Sequence, residues 1–307
     1  MANSLTSLIC ILLLASAIAP AQDIPEDHLK KMEAALPAAA AAPVENPRHL
    51  LIYTRANGFV HKSIPLGAAT IARMGEKTGA WTAEVTDDPA VFEWDRLSAF
   101  DGIFLVSTTG DWLIERKTPK GKEKAIYDPP LSDEELAQQA RRRANLMRFV
   151  ETEGRGLAGC HAASDCHYGW TAYGECLGGL FRKHPWNAGD TVTVRIEEPE
   201  HPLCAHWEEE RFTITDEIYQ FRGEPFSRER SRVLLSLCPE HTDLSRGSRE
   251  DNDYPVTWLH PHGNGRVFYC SLGHNSHVYW DANVLQHLLA GIQYSLGDLE
   301  AADQPRP

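Results

Sequence analysis

Two histidine segments of the chain carry the residue types that acid–base or metal chemistry needs. His61 lies just before a predicted helix start, and His161 follows directly on a short apolar run, with Asp165 close behind it. A neutral imidazole in such a place can act as a metal ligand or a general base. Asp165 or Asp111 could orient a histidine or complete a metal shell. Taken singly, His61 is equally compatible with a local cap interaction, whereas a local turn interaction is the less favoured explanation of His161.

Other segments contain further candidate residues for metal or substrate binding. His184 and His274 each follow a glycine-containing turn, and Glu217 with Tyr219 could supply a carboxylate and a phenol to a polar ligand. Trp170 belongs to a group of aromatic residues whose flat faces suit a sugar-like ligand, although packing beneath long loops would explain them too.

The sequence motifs argue against covalent catalysis and against nucleotide binding. Small residues after His161 allow a sharp turn from strand into helix, but His161 stands where a nucleophile elbow has serine or cysteine. Cys160 lies one position too early and should point into the core. A hydrolase that uses Ser164, Cys160 or Cys166 is therefore the least favoured function. Neither GxxxxGK[ST] nor GxGxxG occurs, so no nucleotide cofactor is expected.

The elements that must position these residues alternate between strand and helix. Apolar runs predict strands at 49–54, 81–85, 102–107, 156–160, 191–196, 212–214, 233–237, 256–259 and 267–271. Ser63, Ser132 and Asp281 are predicted to cap helices. The alternation predicts an α/β fold whose sheet is mainly parallel, with helices on both faces.

This predicted topology places the candidate residues at the carboxyl ends of the parallel strands. Ligands of open parallel sheets lie beyond the carboxyl ends of the strands. The loops predicted at those ends are 55–61, 108–111, 161–167 and 272–277, and each contains a histidine or an aspartate. We expect these four loops to meet at one edge of the sheet.

Composition narrows the class of protein. The 307 residues are 42% hydrophobic and 24% charged, with a formal net charge of −13, which is typical of a globular protein and argues against binding to nucleic acid or an anionic membrane. Six cysteines lie beyond Cys10 without any CxxC pair. An even count in an exported protein permits disulfides, and the sequence leaves their pairing open. Because Cys160, Cys238 and Cys270 lie in or beside apolar runs, buried free thiols are the default expectation, and a cysteine-based zinc site is not expected.

The N-terminus predicts export. Residues 5–19 are nearly all apolar or small, and Ala19-Pro20-Ala21 offers small residues to a signal peptidase. Residues 1–21 are thus predicted to be a signal peptide cleaved near Ala21, with a retained membrane anchor as the alternative.

The rest of the chain is predicted to form one domain at 48–298. We expect a tail or linker before it at 22–47, a solvated insertion within it at 115–130 and a C-terminal tail at 299–307.

Several motifs together resemble those of the ThuA-like family, named for trehalose utilisation. They are GFVHKSI at 58–64 (GFRHxSI in the family), GLAGCHAASD at 156–165 (GLxGxHxAxD), GGLFRKHP at 178–185 (GGxFxxHP), DEIY at 216–219, PVTW at 255–258 (PVxW) and GRVFYCSLGH at 265–274 (GRVFYxxLGH). The resemblance covers about residues 49–297 in the family's motif order. Val60 stands where the family pattern often has arginine.

The resemblance implies a fold similar to that of class I glutamine amidotransferases, with a flavodoxin-like sheet. Because His161 stands at the position of their nucleophile, it also implies that this chain is not a functional glutamine amidotransferase. The family is linked to sugar catabolism, often alongside oxidoreductases that make 3-keto sugars.

The resulting hypothesis is an exported protein of carbohydrate catabolism that acts on a (keto-)sugar or glycoside by metal-assisted or general acid–base chemistry. His61, His161 and Asp165 are the expected catalytic residues, and Glu217, Tyr219 and Trp170 the expected substrate contacts. A divalent metal, with Zn²⁺ best suited, would be held by His61, His161, His184 and His274.

The expected partner is a small carbohydrate. Neither binding to nucleic acid nor a membrane span after cleavage is expected, and the sequence leaves the oligomeric state open. The alternative is a non-catalytic carbohydrate-binding protein that uses the same cleft.

Overall fold

The computed structural model describes residues 24–118 and 127–306. The predicted signal peptide at 1–21 and the middle of the predicted insertion at 115–130 lie outside these residues. Within the described part of the chain, no helix has the length and apolar character needed to cross a membrane.

The described chain alternates strands and helices. The α-helices are α1 (Glu26–Ala35), α2 (Ile64–Thr78), α3 (Trp94–Leu97), α4 (Asp133–Met147), α5 (Thr171–Leu177) and α6 (Ala282–Leu296). The strands are β1 (His49–Tyr53), β2 (Thr82–Thr86), β3 (Gly102–Val106), β4 (Gly156–Cys160), β5 (Phe181–Trp186), β6 (Thr191–Ile196), β7 (Arg211–Thr215), β8 (Ile218–Phe221), β9 (Arg232–Leu237), β10 (Pro255–His262) and β11 (Gly265–Cys270).

Nine strands form one large sheet in the order β2-β1-β3-β4-β11-β10-β9-β6-β7. The pairings from β2 to β11 are parallel, and those from β11 to β7 are antiparallel. The predicted mixed α/β architecture with a parallel core is confirmed, whereas the antiparallel half was not predicted. Strands β5 and β8 pair in a small separate sheet, and neither was predicted as a strand.

The inner parallel strands β1, β3 and β4 are buried on both faces because helices cover both, whereas the edge strand β2 is only partly buried. Leu50 and Ile52 of β1 lie in one hydrophobic core together with side chains of α2 and α6. Leu51 and Tyr53 point the other way, into a second core that includes Leu146 of α4 and residues of α5. The alternation along β1 follows from the two-residue period of a strand. It confirms the prediction of helices on both faces.

Two of the three predicted helix caps are present. Ser132 forms a capping box with Glu135, and the carboxylate of Asp281 accepts from two backbone N–H groups of α6. Ser63 precedes α2 but makes no capping bond, so that prediction was wrong. Its hydroxyl instead donates to the carbonyl oxygen of Gly273 at 2.8 Å, which ties the start of α2 to the loop after β11.

The segment before β1 packs on the domain. Met32 and Leu36 are buried in the same core as α6. The fully buried Gln293 of α6 accepts from the backbone N–H groups of Ala41 and Ala42 at 2.6 and 3.0 Å, and donates to the carbonyl oxygen of Ala42 at 3.0 Å. The end of the predicted tail is thus fastened by three hydrogen bonds.

All six described cysteines are buried and free. This confirms the expectation of buried free thiols that was based on Cys160, Cys238 and Cys270, and no disulfide joins any of the six described cysteines.

Gln293→Met should weaken the attachment of the N-terminal segment. Methionine fills a similar volume but leaves three backbone groups of residues 41–42 without partners, so we expect the free energy of unfolding to fall by about 1–3 kcal/mol. Urea unfolding checks this, with Gln304→Met on the exposed C-terminal segment as the matched control. Equal stability of the two variants would contradict the assigned role of Gln293.

Candidate metal centre

Four side chains from distant parts of the sequence converge at the carboxyl edge of the parallel strands. His61 lies in the loop between β1 and α2, His161 directly follows β4, and His274 lies in the loop after β11. Glu217 precedes β8. One ligand atom from each of the four lies within 4.8 Å of the others.

The spacing of these atoms suits one metal ion. His161 Nε2 is 3.2 Å from His61 Nε2 and 3.2 Å from His274 Nδ1. Glu217 Oε1 is 3.8 Å from His161 Nε2 and 3.5 Å from His274 Nδ1. Ligands of a tetrahedral zinc ion, each about 2 Å from the metal, are separated by roughly 3.3 Å.

A backbone carbonyl fixes the orientation of His161. Its Nδ1 lies 3.0 Å from the carbonyl oxygen of Ser271, and because a carbonyl can only accept, Nδ1 carries the proton. The Nε2 lone pair of the neutral ring therefore points into the cluster. The backbone of His161 has a φ of 47°, in the left-handed region, and this produces the sharp turn after β4 that the sequence predicted.

Burial keeps two of the three imidazoles neutral. Burial and the neighbouring His61 hold the pKa of His161 well below its ordinary value. Burial, together with the nearby His274, lowers the pKa of His61 to about 4. The hydrogen bond to Glu217 raises the pKa of His274. Neutral imidazoles and an ionised carboxylate form the donor set that a divalent transition metal prefers.

His184, predicted as the fourth ligand, lies just outside this group. Its Nδ1 is 3.6 Å from Glu217 Oε2 and 3.2 Å from the side-chain oxygen of Asn187, and its side chain is 45% exposed. Glu217, predicted as a substrate contact, supplies the fourth atom of the converging group instead. The predicted substrate contact Tyr219 is buried, with its hydroxyl 3.1 Å from His161 Nε2.

Asp165 lies near the cluster but does not orient His161 in the way the sequence analysis expected. Its carboxylate accepts a hydrogen bond from the hydroxyl of Tyr168, and the Ser271 carbonyl holds His161. Burial raises the pKa of Asp165 to about 6, with the charge of nearby Glu217 adding to the shift. Asp165 can therefore gain or lose a proton close to neutral pH.

Trp170 belongs to a second polar group, on the loops that follow β3 and β4. His167 Nδ1 lies 2.6 Å from Asp111, and Arg143 donates to the same carboxylate at 3.1 Å. Trp170 packs edge-to-face against His167 at 5.3 Å and under the guanidinium of Arg143 at 5.0 Å. Burial alone would raise the pKa of Asp111, but the His167 hydrogen bond and the Arg143 charge lower it. Asp111 thus orients a histidine, as the sequence allowed, but that histidine is His167.

Asp216 anchors the loop that carries His274, a role that was not predicted from the sequence. Its two carboxylate oxygens accept from the backbone N–H groups of Gly273 and Asn275, each at 2.8 Å. The carboxylate is fully buried. The DEIY motif was a signal for this segment, but nothing in the sequence indicated its backbone partners.

The comparisons with known proteins agree with the motifs. The family model ThuA, described as trehalose utilisation, matches residues 130–295, just over half of the chain. No curated protein matches the chain.

Solved structures show the same fold. A protein from Bacteroides uniformis named as ThuA-like superposes with a TM-score of 0.58 at 20% identity, covering 82% of this chain and 93% of that one. Another protein named as ThuA-like, from Parabacteroides merdae, gives a TM-score of 0.55 at 14% identity and covers 83% and 92% of the two chains.

The raised pKa of Asp165 predicts a pH dependence of stability. A carboxyl whose pKa rises from 3.8 to about 6 on folding stabilises the fold fully below pH 3.8, and this contribution is lost as the pH rises through about 6. Relative to Asp165→Asn, the wild-type protein should lose roughly 1–3 kcal/mol of unfolding free energy between pH 4 and 7. Urea unfolding in EDTA across this range measures the difference. A difference that does not vary with pH would contradict the assignment.

Proposed function

The chain belongs to the ThuA family of trehalose utilisation, and on this premise we propose that it acts on a (keto-)sugar or glycoside at a divalent metal centre. His61, His161, Glu217 and His274 would hold the metal. The observation that carries the proposal is the convergence of their four ligand atoms within 4.8 Å.

The donor set supports a metal better than a hydrogen-bonded cluster. The Nε2 lone pair of His161 has the Nε2 of His61, the Nδ1 of His274 and the hydroxyl of Tyr219 within 3.2 Å. One lone pair cannot serve three neighbours well, whereas a cation satisfies the converging nitrogen lone pairs at once. Three imidazoles and one carboxylate suit Zn²⁺ best among the common divalent ions.

The residues around the cluster supply acid–base groups. A bound divalent cation could accept a carbonyl or hydroxyl oxygen of the sugar as a fifth ligand, since zinc can expand beyond four-coordination, and would polarise that oxygen. Asp165, with a pKa of about 6, can donate or accept a proton near neutral pH. His184 presents a half-exposed imidazole beside Glu217. Together these groups suit proton abstraction next to the carbonyl of a keto sugar, leading to isomerisation or cleavage.

We propose that the amidotransferase reaction is absent. The parallel strand order β2-β1-β3-β4-β11 is consistent with the flavodoxin-like sheet of class I glutamine amidotransferases. The residue that turns out of β4 is His161, and burial raises the pKa of the preceding Cys160 thiol, which leaves it a poor nucleophile.

We also propose that the protein is exported. The apolar residues 5–19 and the small residues Ala19 and Ala21 support a cleaved signal peptide. Mass spectrometry of the mature protein from its source cells should find an N-terminus near Gln22. Mature protein that still begins at Met1 would contradict export by cleavage.

Zinc binding tests the metal centre. After equilibrium dialysis against Zn²⁺, elemental mass spectrometry should find about one equivalent in the wild-type protein, and His161→Ala should bind zinc more than roughly 100-fold more weakly. His262→Ala is the matched control, because this histidine lies at the β10–β11 hairpin beside Glu151. Absence of zinc from the wild-type protein, or equal loss in both variants, would overturn the metal centre.

Turnover of 3-keto glycosides tests the reaction on the same proteins. We expect conversion by the zinc-loaded wild type and by His262→Ala, and none by His161→Ala. Binding of glycosides without conversion would instead support the non-catalytic carbohydrate-binding alternative.

A further inference from the structure

Three large apolar side chains are exposed in the described part of the chain. Two of them directly precede His61, one of the four residues of the candidate metal centre. Phe59 is 64% exposed and Val60 59% exposed, and the third, Leu136, is 47% exposed on α4. Adjacent exposed apolar residues at the rim of a polar site point to a binding surface rather than to packing.

The Phe59 ring is held against the cluster. Its centroid is 4.7 Å from that of the His61 imidazole, at an interplanar angle of 72°. A sugar bound at the cluster would therefore lie close to the Phe59 ring.

The loop that carries Phe59 is fastened by hydrogen bonds to the loop after β3. The Thr109 hydroxyl donates to the carbonyl oxygen of Phe59 at 2.8 Å, and the backbone N–H of Asn57 donates to the carbonyl oxygen of Thr109 at 2.9 Å. A Cβ on Gly58 would lie only 3.2 Å from the Thr109 hydroxyl oxygen, so the two loops are in close contact. The exposed ring is thus presented in a defined place, which lowers the ordering cost of binding.

We propose that Phe59, with Val60 beside it, forms a subsite for a second ring of the substrate, so that the protein prefers glycosides with a ring-shaped aglycone over simple sugars. This inference rests on the proposed function. One ring of the glycoside lies at the cluster among the polar groups of Glu217, His184 and Asp165. The second ring, an aromatic aglycone or the C–H face of another sugar, stacks on Phe59. Val60 extends the same apolar surface, and no charge stands at this position.

Calorimetric titration of the zinc-loaded protein with three probes tests the subsite. The probes are methyl β-D-glucopyranoside, phenyl β-D-glucopyranoside and cellobiose. The phenyl glucoside, cellobiose or both should bind roughly fivefold more tightly than the methyl glucoside. A gain for the phenyl glucoside alone assigns the subsite to aromatic aglycones, and a gain for cellobiose assigns it to a second sugar.

Variants separate the subsite from the cluster. Phe59→Ala should abolish the gain while leaving zinc content and methyl glucoside affinity unchanged, and Phe59→Tyr should keep it. Leu136→Ala, which removes the exposed apolar residue on α4, should match the wild type. Equal affinity for all three probes, or a gain that survives in Phe59→Ala, would overturn the subsite and leave the proposed function standing. If zinc binds but none of the probes does, the subsite fails, and the turnover of 3-keto glycosides decides the proposed function separately.

Discussion

The candidate site depends on one hydrogen bond, from Nδ1 of His161 to the carbonyl oxygen of Ser271. Strands β4 and β11 are parallel neighbours, with Cys160 opposite Cys270, so His161 and Ser271 each lie one residue beyond a paired position. The bond fixes the tautomer of a fully buried ring, and burial keeps that ring neutral. The sheet edge itself therefore aims the lone pair around which the other ligand atoms gather.

Side chain to backbone hydrogen bonds hold the loops of the other candidate metal ligands in place. Ser63 donates to the carbonyl oxygen of Gly273, and Asp216 accepts from the N–H groups of Gly273 and Asn275. The loop that carries His274 is thus tied both to the start of α2 and to the segment before β8. Such hydrogen bonds hold the coordinating side chains in their binding geometry before a metal or a substrate binds.

The sequence predicted the parallel core and the meeting of its loops, because long apolar runs and strand-to-helix alternation are strong signals. It missed β5 and β8, where half-exposed or very short strands leave little periodicity. It placed His184, on β5, among the metal ligands and Glu217, just before β8, among the substrate contacts. The β10–β11 hairpin had a signal in Gly263 and the following asparagine, a favoured two-residue turn. No sequence signal indicated the role of the Ser271 carbonyl. Every residue has a backbone carbonyl, and only the folded sheet places this one beside His161.

The most direct test of the metal centre is anomalous diffraction at the zinc absorption edge from crystals of the zinc-loaded protein. We predict one strong peak about 2 Å from Nε2 of His61, Nε2 of His161 and Nδ1 of His274, with a Glu217 oxygen as fourth protein ligand. A peak that lies elsewhere, or one whose ligands do not include His161, would contradict the proposed metal centre.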